Sequence, residues 1–113
     1  VVGSTSLVVF PTTGTFYQDF FVPYDATGAL ELDVRYQTLG GGTWWDRVIV
    51  ELWEGNTRLG ISRFPSANNC EGGSYSFFGN YAGKNLRLEV WGSIVTPGVV
   101  HRIQKISVVS YLP

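Results

Sequence analysis

The chain has 113 residues, 44% of them apolar, and its 8 Lys and Arg against 9 Asp and Glu leave a net charge of −1. That length fits one domain with a single core, and that apolar content excludes a disordered chain. The few basic residues are dispersed, which argues against nucleic acid or a membrane surface as partner, since both need clustered positive charge.

Helix signals are nearly absent: no window carries apolar positions at i, i+3, i+4 and i+7 free of Gly, Pro or β-branched runs. Strand signals recur instead, with Gly, Pro, Asn or Asp between them. Segment 6–10 is apolar and stops at Pro11. Segment 16–22 reads Phe-Tyr-Gln-Asp-Phe-Phe-Val and stops at Pro23. Segment 30–38 alternates cleanly, with Leu30, Leu32, Val34 and Tyr36 predicted inward and Glu31, Asp33, Arg35 and Gln37 outward. Segment 46–54 ends at a turn, Glu54-Gly55-Asn56, and 58–64 returns to Pro65. Segment 73–78 is rich in aromatics, and 85–91 follows. Segment 99–111 slips phase: Val99, His101 and Ile103 share one parity, Ile106 and Val108 the other. One extra residue near Gln104-Lys105, a β-bulge, would reconcile them.

These segments predict an all-β fold, a β-sandwich jelly roll of about eight antiparallel strands in two sheets. The expected organisation is one domain over 1–113, excised from a larger protein; the sequence contains no Met. The single cysteine, Cys70, cannot form an intrachain disulfide and says nothing about compartment. No apolar run approaches the length of a membrane span.

Two tryptophans fall out of phase with the core. Val48, Val50 and Leu52 share a parity, as do Leu86, Leu88 and Val90, whereas Trp53 is in phase with Glu51 and Ile49, and Trp91 with Arg87 and Glu89. Indoles on a charged face call for a partner: a sugar ring, another subunit or a neighbouring domain.

The order of segments resembles the galactose-binding-like jelly rolls, a superfamily that includes many carbohydrate-binding modules. The likeness rests on Phe16-Tyr17-Gln18-Asp19-Phe20-Phe21-Val22-Pro23, on 28–36 and 46–52, and on 86–90 and the closing Arg102-Ile103-Gln104-Lys105-Ile106-Ser107-Val108. It departs at Gln104-Lys105, where many such modules carry paired acidic residues after an isoleucine. The resemblance implies a non-catalytic, extracellular sugar binder. Some relatives hold a structural calcium ion, but no acidic cluster of that kind is visible here. No cofactor is therefore expected, and an ion held by backbone carbonyls stays open.

The first candidate site is the face of Trp53 and Trp91, with Glu51, Glu89, Arg87 and Arg35 as polar neighbours and Asp33 and Gln37 beside them. Indoles stack on the CH-rich faces of a polysaccharide or oligosaccharide, and charged or amide groups bond its hydroxyls. Against this stands burial of the same indoles by one another, by the N-terminal strand or by a neighbouring subunit. A second candidate is the loop Gly40-Gly41-Gly42-Thr43-Trp44-Trp45-Asp46-Arg47, since related modules also bind sugars at a loop edge. There the candidate contacts are Trp44 or Trp45, with Asp46 and Arg47, unless one Trp plugs the end of the sandwich and Asp46 pairs with Arg47 or caps a turn. Tyr81, beside Gly79, Asn80 and Gly83, is a third, weaker candidate. Tyr75 and Phe77 are expected on one face and Phe78 on the other.

Catalysis is not expected. Glycoside hydrolysis needs two carboxylates across a cleft. His101, the sole histidine, has no nucleophile motif near it, and with one His and one Cys in the chain no zinc site is expected. The rival reading is a structural jelly-roll subunit that decorates a capsid, fibre or surface and buries the aromatic face in a homo-oligomer or against a parent protein.

Overall fold

The computed structural model describes residues 3–10, 16–67 and 71–113. Cys70 and its neighbours Asn68 and Asn69 lie outside the described residues. The described chain forms eight strands: β1 (Gly3–Phe10), β2 (Phe16–Phe21), β3 (Thr27–Leu39), β4 (Arg47–Glu54), β5 (Thr57–Phe64), β6 (Glu71–Phe77), β7 (Asn85–Ser93) and β8 (Val100–Leu112).

Period-two alternation makes β3 a two-faced strand. Leu30, Leu32, Val34 and Tyr36 are buried, and the charged residues between them lie on the opposite face. The same alternation runs along β7, where Leu86, Leu88 and Val90 are buried. The strands assemble into two four-stranded sheets, ordered β1-β8-β3-β6 and β2-β7-β4-β5, with every pairing antiparallel. The fold is an all-β jelly-roll sandwich, as the strand pattern predicts. Its core is shared by the two inner faces, with Val34, Val50, Leu52, Leu88, Val90 and Ile106 fully buried. Truncating one of these leucines to alanine would cost roughly 2–5 kcal/mol through lost burial and the cavity left behind.

The phase slip in the last strand is a bulge at Gln104. Arg35 pairs with Lys105, but Tyr36 pairs with Ile103, so one residue of β8 has no opposite number. Ile103 and Ile106 consequently both reach the core. A second bulge lies in the β4–β5 hairpin, where Leu52 faces Gly60 and Trp53 faces Arg58, leaving Leu59 over. Gly55 closes that hairpin with φ 57°, a conformation glycine adopts without strain.

A reciprocal aromatic–glycine contact closes the edge where β5 meets β6. A Cβ on Gly60 would stand 2.7 Å from Cδ1 of Phe77, and one on Gly73 would stand 2.5 Å from Cδ1 of Phe64. Each ring occupies the space that the glycine of the facing strand leaves open. Phe77 is thus core, while Tyr75 of the same parity is partly exposed because it sits on an edge strand and packs edge-on against Phe77. Phe78 follows the strand and is exposed.

Candidate functional site

The outer face of sheet β2-β7-β4-β5 carries the out-of-phase residues in cross-strand rows. One row reads Tyr17, Glu89, Glu51 and Ile61; the next reads Asp19, Arg87, Trp53 and Arg58. A third places Trp91 beside Ile49, which in turn faces Arg63. Ile49 points outward yet is buried, so its neighbours on that face cover it.

Trp91 is fixed by an ion-pair relay. Its Nε1–H donates to Oε1 of Glu51 at 2.8 Å, and Nη1 of Arg58 donates to Oε2 at 3.0 Å. Both Glu51 oxygens are thereby satisfied, which permits a carboxylate only 9% exposed. The indole itself stays 37% exposed. Two rows from Trp91, the Arg87 guanidinium lies 4.3 Å above the ring centroid of Tyr17 and donates through Nε to Asp19 at 3.0 Å. The Asp19 hydrogen bond pushes the Arg87 pKa further up from an already basic value. Trp53 is half-buried, and among the described residues its Nε1–H has no hydrogen-bond partner.

Thus Trp53, Trp91, Glu51, Glu89 and Arg87 do share one face. Arg35, Asp33 and Gln37 do not. They lie on β3, on the outer face of the other sheet, with the whole sandwich in between. Alternation tells which residues share a side of a strand, but not which sheet the strand joins. Tyr17, Asp19 and Arg58 belong to the face and are absent from the sequence-level candidates. The alternation of segment 16–22 already groups Tyr17 with Asp19; only the β2–β7 pairing puts them beside Arg87.

The second candidate, the loop before β4, presents Trp44 and Trp45 at 65% and 61% exposure. The Arg47 guanidinium sits 5.4 Å from the Trp45 ring centroid. Asp46 is not available to a ligand. Its Oδ2 accepts from Thr43 N (2.8 Å), Thr43 Oγ1 (2.9 Å) and Thr96 Oγ1 (2.7 Å), and its Oδ1 from Val95 N (2.7 Å) and Thr96 N (2.9 Å). The fully buried carboxylate stitches the Trp loop to the loop between β7 and β8. Burial alone would raise its pKa, but these hydrogen bonds outweigh it and hold the group far below the usual carboxylate range.

Tyr81 is likewise a core residue, 6% exposed, with its hydroxyl donating to the Phe78 carbonyl at 2.8 Å. Burial pushes its pKa up. Its flanking glycines signal a loop, yet the ring folds inward to plug the sandwich. His101 is buried, with Nδ1 3.0 Å from Thr38 Oγ1, which also accepts from Ala67 N. Burial lowers its pKa, opposed by the Ser93 backbone and by Asp46. Among the described residues no three His, Cys, Asp or Glu gather as they would around a metal ion.

No family model matches the sequence, and no curated protein matches it. Solved structures do share its fold. The C-terminal CBM6 of LamC, a marine laminarinase from Zobellia galactanivorans, superposes with TM-score 0.51 at 14% identity over 94% of this chain and 90% of its own. The CBM36-1 domain of a multidomain xylanase from the hindgut metagenome of Trinervitermes trinervoides gives TM-score 0.51 at 11% identity, over 94% and 96%. These likenesses show the jelly-roll fold. It also recurs within larger proteins: the chain spans 19% of an insecticidal delta-endotoxin from Bacillus thuringiensis, with TM-score 0.53 at 18% identity over 92% of this chain.

Proposed function

We propose that the chain is a non-catalytic carbohydrate-binding module that receives a glycan on the outer face of sheet β2-β7-β4-β5. The observation that carries this reading is the Trp91 indole, pinned by Glu51 and left with open surface among polar groups. A fixed aromatic surface can stack on a pyranose without losing further side-chain entropy. Tyr17 under Arg87 offers a second ring, and Asp19, Glu89 and Arg87 supply donors and acceptors for hydroxyls. The likeness to modules of a laminarinase and a xylanase supports the sugar class. A hydrolytic role finds no support: Glu51 and Glu89 are cross-strand neighbours on one face, and both oxygens of Glu51 are bonded. A polysaccharide outside the cell, met on behalf of a parent protein, is the natural partner.

Affinity electrophoresis against xylan, galactan and β-glucan tests the proposal. Retardation by one polysaccharide, lost in Trp91→Ala with Tyr17→Ala and kept in Trp44→Ala with Trp45→Ala, is the expected result. The reverse pattern would move the site to the loop edge.

A second reading is favoured by the loop end. Leu39 and its cross-strand partner Val100 are exposed there, as are Val95, Trp44 and Trp45 on the two loops that Asp46 joins. Such an apolar end suits contact with another subunit or domain. Light scattering checks it: a stable oligomer that Trp44→Ala dissociates would establish an assembly role, with or without sugar binding.

A further inference from the structure

Beside the proposed platform, where β4 turns into β5 and β7 begins, Asp19, Gly55, Asn56, Asn85, Leu86 and Arg87 line a depression of about 340 Å³. It adjoins the platform directly, because Arg87 stands between Asp19 and Trp53 in the same cross-strand row. Its walls are tied together. Lys84, which precedes Asn85, donates through Nζ to both oxygens of Glu54, which precedes Gly55, at 3.2 and 3.0 Å.

The lining chemistry is selective. Asn56 and Asn85 each offer amide donors and an acceptor, and Asp19 offers a carboxylate acceptor. A hydroxyl both donates and accepts, so a polyol matches this set. An anion does not. Among the described residues the one cation in the lining, Arg87, is already engaged by Asp19 at 3.0 Å, and that carboxylate would repel a second acid. The volume sits at the small end of ligand pockets, roughly 300–1,000 Å³, which suits one sugar ring and not a long chain segment.

We infer that this depression is an end subsite for one terminal residue of a neutral glycan whose following residues lie on the Tyr17–Trp91 face. The inference rests on the platform reading for its direction, and its chemistry stands on the depression alone. It assigns binding roles to Asn56 and Asn85, and it restricts the ligand to uncharged sugars presented by a chain end or branch.

The test is site-resolved NMR on the full chain, reading the side-chain amides of Asn56 and Asn85 and the indole N–H of Trp91. The probes are the methyl glycosides of glucose, galactose, xylose and galacturonic acid, and neutral oligosaccharides of the first three. A neutral glycoside should shift both amides, galacturonoside should not, and Asn85→Ala should raise the apparent Kd about fivefold, one lost hydrogen bond. The Trp91 indole resonance in that variant reports that the fold is kept. Amides that stay still while oligosaccharides move the indole would end the subsite and leave the platform intact. Amides that shift while the indole never moves would keep the subsite and end the platform. Equal shifts with galacturonoside would overturn the neutral class, and no shift with any sugar would overturn both site and platform.

Discussion

The Trp91 indole donates to Glu51 across the β4–β7 ladder at 2.8 Å, and Glu51 in turn is held by Arg58 from β5. Three strands therefore set the attitude of one exposed ring. Replacing Glu51 by Ala frees the indole and releases the half-exposed Arg58 to water, a loss of about 1.5–3 kcal/mol for hydrogen bonds to a charged group. We expect weaker sugar binding together with lower stability in Glu51→Ala. In Trp91→Phe, stability should fall less than binding. Paired urea titrations and affinity gels separate the two; equal losses in both variants would remove the distinction between a positioned ring and a merely packed one.

Asp46 should control the acid limb of stability. Its folded pKa lies below the ordinary Asp value, so its contribution is complete above about pH 4 and is lost as pH falls further toward the folded value. Asp46→Asn should melt lower than the parent chain at pH 7, and the gap should narrow below about pH 4. Thermal melts between pH 7 and pH 2.5 give the comparison. A gap independent of pH would show that the carboxylate charge is not what the loop clamp uses.

His101 acts in a neighbouring window by the same sign. Burial holds its pKa below the ordinary value of about 6.5, so the fold favours the neutral ring and loses stability as pH drops below that value. In His101→Gln the slope of Tm between pH 6.5 and 5 should flatten. An unchanged slope would assign it to other groups.

Gly73→Ala and Gly60→Ala should each destabilise by about 1–3 kcal/mol, because the added methyl meets the Phe64 or Phe77 ring at 2.5 or 2.7 Å. Urea midpoints should shift with the m-value unchanged. Substitution of Gly55 by Asn, where nothing stands within 4 Å but φ is 57°, should cost less, since Asn tolerates that region. A neutral Gly73→Ala would mean that the Phe64 ring has room to retreat.

Much of this architecture is legible in the chain itself, because a strand's two faces are written two residues apart. Leu30 to Tyr36 alternate into the core, and the parity break after Ile103 announces the bulge at Gln104. The same rule sets Trp53 and Trp91 in phase with Glu51, Glu89 and Arg87 before any pairing is known. Parity is local, and it stops at the end of a strand. Only the assembled sheets decide that β2 lies beside β7, bringing Tyr17 and Asp19 to Arg87, and that β3 lies in the opposite sheet, taking Arg35 away. Loops carry no period at all. Nothing in Trp44-Trp45-Asp46 says that Asp46 is buried, because its partners Val95 and Thr96 come from a distant turn of the chain, and nothing in Gly79 to Gly83 says that the Tyr81 ring enters the core, although its hydroxyl bonds Phe78 only three residues away. Side-chain alternation is a property of one strand, whereas a site is a property of neighbours, and neighbours come from long-range pairing.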